Sequence, residues 1–242
     1  MTLPYNALRV YISKKELLSM RRFFALFLIL AFLCPVVRGA ESPKYVALTF
    51  DDGPSGRFTK RLLEGLEARK VKATFLLCGY RLQEDPKLAQ AIQDGGHEIG
   101  LHGFSHRDMS KMTQQEAAKE IADTYRLLPK GCKPTFLRPP GGAWGESLAS
   151  AAREQGLALL NWSVDPLDWI NHDAKAVQAA VMENIQDGDI ILLHDMCDCS
   201  VDAALAIVDA LQAQGFRFVT VSQLAMLRGI TPKPGVMYTR FR

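Results

Sequence analysis

The chain has 242 residues, of which 48% are hydrophobic and 23% are charged, and its formal net charge is +3. This composition excludes a disordered chain, and the length is sufficient for one sizeable hydrophobic core. The first 39 residues carry six basic residues and one acidic residue, which leaves a net charge of −2 on the rest of the chain. Without an excess of positive charge there, we predict no nucleic-acid partner.

The first 39 residues are predicted to be an N-terminal extension that contains a secretory signal peptide. Arg21 and Arg22 precede eleven consecutive apolar residues at 23–33, and small residues follow near Gly39. The apolar run is shorter than the roughly 20 residues of a membrane-spanning helix. We therefore predict export to the periplasm, the cell envelope or the extracellular space, with no stable membrane anchor after cleavage; an uncleaved tether is the alternative. Met20, directly before the two arginines, is the expected start of translation.

Residues 40–242 are predicted to form a single domain in which strands and helices alternate. Apolar runs bounded by turn residues predict strands at 45–50, 73–77, 97–102, 135–138, 157–162, 189–194 and 217–221. Amphipathic stretches predict helices at 59–69, 87–93, 113–128, 146–155, 174–185, 201–214 and 222–227. Thr113 and Glu116 fit a capping box at the start of the third helix. No periodic pattern follows Gly229, so no element is predicted there.

The alternation of strands and helices predicts an α/β fold with parallel strands. A continuous apolar run at 190–193 indicates a strand that is buried on both faces. Two architectures fit this pattern: an open doubly wound sheet, and a closed or nearly closed β/α barrel.

Titratable side chains stand at the carboxyl ends of five predicted strands. In chain order they are Asp51, Asp52, His102, His106, Arg138, Asp165, Asp168 and His194. Each one alone is also compatible with a solvated loop residue or a hydrogen-bonded core residue. Because the carboxyl ends of the strands share one rim in β/α folds, we expect these side chains to form one site.

This set of residue types predicts metal-assisted hydrolysis of an amide or an ester. Two histidines and one of the two aspartates are a common ligand set for Zn²⁺ and similar ions. The second aspartate is then free to accept a proton from water, and His194 can protonate a leaving amine. The amides of Gly141 and Gly142 follow two prolines and could face an oxyanion. Phosphate binding by these glycines is an alternative, but they match no phosphate-binding fingerprint.

Five motifs in order carry a resemblance to a known family. They are Thr49-Phe50-Asp51-Asp52-Gly53-Pro54, Gly96-His97-Glu98-Ile99-Gly100-x-His102 with His106, Arg138-Pro139-Pro140, Asp165-x-x-Asp168-Trp169, and Leu192-x-His194. Over residues 44–227 the chain resembles the polysaccharide deacetylases, the NodB homology domains of carbohydrate esterase family 4. The resemblance implies a distorted (β/α)7 barrel and an enzyme that removes N-acetyl groups from amino-sugar polymers.

The resemblance also implies a role for each site residue. Asp52, His102 and His106 would bind one divalent ion, with Zn²⁺ expected and Co²⁺ or Ni²⁺ as alternatives. Asp51 would be the general base, oriented by Arg138. His194 would be the general acid, tuned by Asp168. The Gly141 amide would face the oxyanion, and Trp169 and Leu192 would form a pocket for the acetyl methyl group.

Three positions depart from the pattern of the family. Gly103 stands where a hydroxyl residue is usual after the first histidine, and we expect weaker metal binding because that hydroxyl would brace the ligand loop. Gly141 replaces an aromatic residue, so a ring that faces the substrate is lost. Leu101 replaces a residue that is commonly polar. None of these changes removes a predicted catalytic group, so we expect activity.

The expected substrate is an acetylated glycan such as peptidoglycan or a chitin-like oligomer. Two alternatives remain: hydrolysis of another amide, such as a formyl group on a lipid-linked sugar or a small cyclic amide, and a non-catalytic glycan-binding protein on the same fold. The pair Cys197 and Cys199 is compatible with a disulfide or with a soft-metal site.

Overall fold

The computed structural model describes residues 42–242, and the predicted signal peptide and the predicted start at Met20 lie outside this range. Within it, no helix combines the length and apolar character that crossing a membrane requires. Eight parallel strands form one sheet. They are β1 (Lys44–Asp51), β2 (Thr74–Leu77), β3 (Glu98–Leu101), β4 (Phe136–Leu137), β5 (Ala158–Leu160), β6 (Ile190–His194), β7 (Phe216–Val219) and β8 (Met237–Tyr238).

The strand order is β6-β1-β2-β3-β4-β5-β8, and β7 pairs with the first half of β1. Strand β1 is therefore the centre of the sheet, and its six residues from Val46 to Asp51 are all buried. Aromatic stacking of Phe50 on Phe75, with ring centroids 5.2 Å apart, adds to its packing. All seven predicted strands are present in the structure, and their parallel pairing confirms the predicted class.

The sheet curves into a distorted barrel because β6 also contacts the chain that follows β5. Val164 pairs in parallel with Ile191, and the Leu192 amide donates to the Val164 carbonyl at 3.0 Å. Strand β8 pairs in parallel with β5 at the end of the strand order, next to the point where β6 meets the chain after β5. These contacts confirm a single-domain barrel and exclude the open doubly wound sheet. The sequence does not predict strand β8, because its two residues lie in the segment after Gly229, which shows no periodic pattern.

Helices connect the strands and cover the outside of the barrel. They are α1 (Gly56–Ala68), α2 (Gly79–Glu84), α3 (Pro86–Asp94), α4 (Gln114–Tyr125), α5 (Glu146–Glu154), α6 (Ala174–Asn184), α7 (Asp198–Ala213) and α8 (Val221–Leu227). The predicted capping box is present: the Glu116 amide donates to the Thr113 hydroxyl, and the Thr113 amide donates to the Glu116 carboxylate. The sequence does not predict helix α2, because its six residues begin at a glycine and are too few to show a helical period.

The start of β3 depends on a buried histidine. The Ala73 amide donates to His97 Nδ1 at 3.1 Å, so this nitrogen must be unprotonated. Burial, together with the charge of Lys72, lowers the pKa of His97 to about 4. The unfolded chain, with an ordinary histidine pKa near 6.5, therefore binds this proton at a higher pH than the folded chain does.

We expect the free energy of unfolding to fall as pH drops from 6.5 to 4, because the unfolded state gains the His97 proton first. The contribution of this group is up to about 3 kcal/mol. Denaturant unfolding of the wild type and His97→Gln across this range measures it, and the variant should lose less stability in acid. His172→Gln, at an exposed histidine, is the control. Equal acid losses in the wild type and His97→Gln would contradict the prediction.

Candidate active site

The predicted site residues meet at the carboxyl ends of the strands, in a cleft of about 410 Å³. The cleft is lined by Asp51, Asp52, His102, His106, Gly141, Trp162, Asp165, Trp169, Leu192 and His194. Strand register explains this convergence. Asp51 at the end of β1 is the pairing partner of His194 at the end of β6. Neighbouring residues on paired strands face the same side, so these two side chains enter the same cleft.

Arg138 lies behind the cleft and holds Asp51 from below. Its guanidinium is fully buried and donates to Asp51 Oδ1 at 2.7 Å and to the Thr49 hydroxyl at 2.8 Å. A third bond goes to the Asn161 carbonyl at 3.0 Å. Breaking a buried pair of this kind typically costs about 3–5 kcal/mol, so the position of the Asp51 carboxylate is strongly determined.

Asp52, His102 and His106 form a separate cluster beside Asp51. Asp52 Oδ1 lies 2.9 Å from His106 Nε2 and 3.3 Å from His102 Nε2. His102 Nδ1 lies 2.8 Å from the Arg138 carbonyl oxygen, which can only accept, so in the neutral ring the proton is on Nδ1 and Nε2 presents a lone pair to Asp52. A carboxylate oxygen and imidazole lone pairs that converge repel one another unless a proton or a cation lies among them.

The electrostatics of this cluster favour positive charge. Burial alone would raise the pKa of Asp52, but hydrogen bonds from the two imidazoles, and their charge when they are protonated, outweigh burial and hold this pKa well below its ordinary value. In turn, the hydrogen bond that His106 donates to Asp52 raises the pKa of His106. The three ligand atoms lie within 4.8 Å of one another, as a shared ion requires. Their donor set of two nitrogens and one oxygen fits a divalent ion of the zinc type.

Backbone geometry brings two adjacent aspartates into one cleft. Successive strand residues point to opposite faces, but Asp52 has φ of +70° and leaves the strand at once. His106 also has a left-handed φ, of +56°. Such conformations cost of order 1–3 kcal/mol in non-glycine residues and persist where the surroundings hold them. Two of the three predicted metal ligands therefore have a backbone that their surroundings must hold in place.

His194 stands opposite this cluster and is paired with Asp168. The Asp168 carboxylate accepts from the His194 amide at 2.9 Å, and its other oxygen lies 2.9 Å from His194 Nδ1. Burial alone would lower the pKa of His194, but the bond to Asp168 and the charges of Asp51 and Asp52 raise it to about 9. Asp168 is itself buried, so the structure fixes the ring orientation and leaves Nε2 for the cleft.

The three predicted pocket residues also line the cleft. Leu192 is buried at its base, whereas Trp169 is 57% exposed at its rim. Gly141 has φ of +67°, and a Cβ built there would meet no atom within 4 Å. The lost aromatic ring therefore leaves open space, and the left-handed backbone explains why glycine occupies this position.

Several residues of the site are missed by reasoning from the sequence. Thr49 could have been found, because it lies two residues before Asp51 on the same face of β1. Asn161 supplies its carbonyl to Arg138, and Trp162 lines the cleft, but neither carries a spacing signal. Glu120, on α4, accepts hydrogen bonds from the loop between the two histidines. No motif connects Glu120 with that loop.

Cys197 and Cys199 form a disulfide at the start of α7, with an S–S distance of 2.09 Å. His172 Nδ1 lies 3.7 Å from Cys199 Sγ, so the three residues do lie together. A soft-metal site needs thiolates, and the disulfide leaves none. Of the two interpretations of this pair, the structure therefore supports the disulfide.

The site combines a cluster of two histidines and one aspartate at the rim of a β/α barrel with a buried Arg–Asp pair and a His–Asp pair. This arrangement is typical of hydrolases that act on amides or esters. Comparison with known proteins identifies the family. The profile described as "Polysaccharide deacetylase" matches residues 38–160. The chain belongs to the polysaccharide deacetylase family, and the prediction of this family and of its type of enzyme is confirmed.

Individual relatives agree with this assignment. The chain is 38% identical over 190 residues to a peptidoglycan-N-acetylglucosamine deacetylase of Bacillus cereus, and the match covers 76% of this chain and 89% of the relative. It is 40% identical over 183 residues to peptidoglycan-N-acetylmuramic acid deacetylase PdaC of Bacillus subtilis, covering 75% of this chain but only 38% of that longer relative. A family 4 acetyl xylan esterase from Clostridium thermocellum, solved in complex with a cobalt ion, superposes with a TM-score of 0.76 at 35% identity, covering 81% of this chain and 98% of the other.

Removal of the Asp168 carboxylate should lower the pKa of His194 from about 9 toward the ordinary histidine value, because the first contribution that raises it is the Asp168 bond. We expect Asp168→Asn to lower this pKa by at least about one unit, measured by ¹H–¹⁵N NMR titration of the imidazole. Asp165→Asn is the matched control, since Asp165 lines the same cleft but accepts from the Leu167 amide. A His194 pKa that is unchanged in Asp168→Asn would refute this account of the pair.

Proposed function

We propose that this protein removes N-acetyl groups from amino-sugar glycans, with peptidoglycan or a chitin-like oligomer as the substrate. The observation that carries the proposal is the convergence of three groups of residues in one cleft. These are the Asp52, His102 and His106 cluster, the Asp51–Arg138 pair and the His194–Asp168 pair. Together they offer an ion-binding site, a proton acceptor and a proton donor around a space large enough for a sugar residue.

The metal would be held by Asp52, His102 and His106. A divalent ion in such a site supplies Lewis acidity, which polarises a carbonyl group and makes water more acidic. Zn²⁺ suits this mixture of nitrogen and oxygen donors, and Co²⁺ and Ni²⁺ are the alternatives. The cobalt ion in complex with the related acetyl xylan esterase is consistent with this range.

Asp51 would accept the proton of the attacking water. Its Oδ1 is occupied by Arg138, while Oδ2 lies 3.7 Å from His102 Nε2 and so faces the ligand cluster. The carboxylate therefore has one oxygen for anchoring and one for chemistry. Arg138 would orient Asp51 and prevent it from turning toward the cluster as a fourth ligand. A general base positioned in this way typically contributes about 10²–10⁴-fold to the rate.

His194 would donate a proton to the leaving amine. Its raised pKa keeps the ring protonated at neutral pH, and the bond to Asp168 directs Nε2 into the cleft. The expected pH dependence is that of a general acid: activity is present below the His194 pKa and is lost as pH rises through it. Around the reacting group, the Gly141 amide would face the oxyanion, and Leu192 and Trp169 would contact the acetyl methyl group.

The names of the relatives support a cell-wall glycan as the substrate, and hence a location in the envelope or outside the cell. The predicted signal peptide is consistent with that location. Neither alternative is favoured by an observation. A non-catalytic glycan-binding protein would not need a proton acceptor and a proton donor on opposite sides of an ion site. A small cyclic amide would not need the exposed Trp169 at an open rim.

Two substitutions separate the proposed base from the proposed ligands. Asp51→Asn should reduce acetate release from an N-acetylglucosamine oligomer by about 10²–10⁴-fold and leave bound zinc unchanged. His102→Ala should lose both zinc and activity, because it removes a ligand. The measurements are acetate release and metal content by mass spectrometry, with folding checked by circular dichroism.

The same assay tests the substrate class across chitin oligomers, peptidoglycan and acetylxylan. We expect acetate from at least one of the two amino-sugar substrates. Wild-type protein that binds no Zn²⁺, Co²⁺ or Ni²⁺ would refute the metal-dependent mechanism. Acetate from acetylxylan alone would refute the assignment to amino sugars.

A further inference from the structure

The predicted ligands His102 and His106 stand at the two ends of a short loop. Two loop carbonyls, of Gly103 and Phe104, accept from the Gly79 and Tyr80 amides at 3.0 Å, but these bonds leave the loop amides at positions 104 and 105 without a backbone partner. His102 is fixed by its bond to the Arg138 carbonyl, but His106 is an exposed residue in a left-handed conformation. Gly103 has φ of +73° and no side chain with which to brace the loop. Something outside the loop must therefore hold His106 toward Asp52, against the tendency of a strained backbone to relax.

Glu120 supplies this support from helix α4 (Gln114–Tyr125). Its Oε2 accepts from the Phe104 amide at 2.7 Å and from the Ser105 amide at 2.8 Å. Its Oε1 accepts from the Ser105 hydroxyl at 2.8 Å and from the Arg107 guanidinium at 3.2 Å. One carboxylate thus receives four hydrogen bonds from three residues, all between or beside the two histidines.

The burial of Glu120 indicates that its carboxylate has a specific role. Glu120 is only 7% exposed, and an apolar residue at this position would avoid the cost of desolvating a carboxylate. A carboxylate placed there is instead matched to the two backbone N–H groups that the loop would otherwise leave without protein partners. The carboxylate also occupies the space next to Gly103, where a Cβ would lie 3.5 Å from Glu120 Oε2 and 3.2 Å from Met109 Sδ.

We propose that Glu120 is a positioning residue for the metal site, because it holds residues 103–107 in the conformation that directs His106 toward Asp52 and His102. This inference rests on the proposed function, in which these three residues bind a divalent ion. It also changes the expectation drawn from Gly103. The hydroxyl that is missing from the loop is replaced by a brace from a neighbouring helix, so Gly103 need not weaken metal binding.

The test is the affinity of the purified full-length protein for Zn²⁺, measured by competition with a chromophoric chelator. Glu120→Ala should weaken binding by about 10–100-fold, the usual cost of removing a partner that orients a metal ligand. Glu120→Gln should recover most of the affinity, because its amide oxygen can still accept from both backbone N–H groups. If Glu120→Ala does not yield folded protein, Glu120→Asp is measured with the same expectation, since it is one methylene too short to reach the loop.

A matched control distinguishes positioning from general stability. Glu116→Ala lies on the same helix and removes the side-chain carboxylate of its capping box, so it should lower the melting temperature without changing Zn²⁺ affinity. Zn²⁺ affinity in Glu120→Ala within about threefold of the wild type would overturn the inference, and so would an equal loss of affinity in Glu116→Ala. Wild-type protein that binds no Zn²⁺ would instead refute the proposed function, so the two failures are distinguishable.

Discussion

The site depends on the hydrogen bonds that the buried guanidinium of Arg138 donates. Its side chain binds Asp51 and Thr49 on β1, and its own carbonyl accepts from the His102 ring. One residue therefore positions the proposed base through its side chain and a proposed metal ligand through its backbone. A guanidinium without partners would be very costly at this depth, so Arg138 holds the side chain at position 51 in one orientation.

This network extends to the opposite wall of the cleft through β1. The Thr49 hydroxyl, which accepts from Arg138, donates to the Ile191 carbonyl on β6 at 2.6 Å. Strand β6 ends at His194, whose pairing partner is Asp51. The proposed base and the proposed acid are thus adjacent in the sheet, and their relative position is set by strand pairing. Pairing of Val164 with Ile191 closes the barrel below this pair and fixes β6 from its other side.

The sequence predicts two kinds of feature: elements that show a local periodic pattern, and residues that meet because the carboxyl ends of parallel strands share one rim. The seven predicted strands and the convergence of His102, Arg138 and His194 follow from those two rules. Barrel closure could not be predicted, because strand β8 lies in a segment without a periodic pattern and Val164 contributes only a single bridge. The support of the ligand loop by Glu120 could not be predicted from the sequence either. It is a contact between a helix and a loop that no periodic pattern relates, and only the packed structure shows that their polar groups match.

The roles of the two adjacent aspartates cannot be distinguished from the sequence, but the structure gives them different partners. Their spacing is symmetric, and either carboxylate could bind an ion. The structure breaks this symmetry through the backbone: Asp51 is the last residue of β1 and faces Arg138, whereas Asp52, with its left-handed φ, turns toward the two imidazoles. Each carboxylate meets a different positive or proton-bearing partner, and this separation is what makes two adjacent negative charges tolerable in one cleft. Exchange of the proposed roles would require Asp51 to leave a buried guanidinium, so the cost of an unpaired Arg138 favours the proposed division between ligand and base.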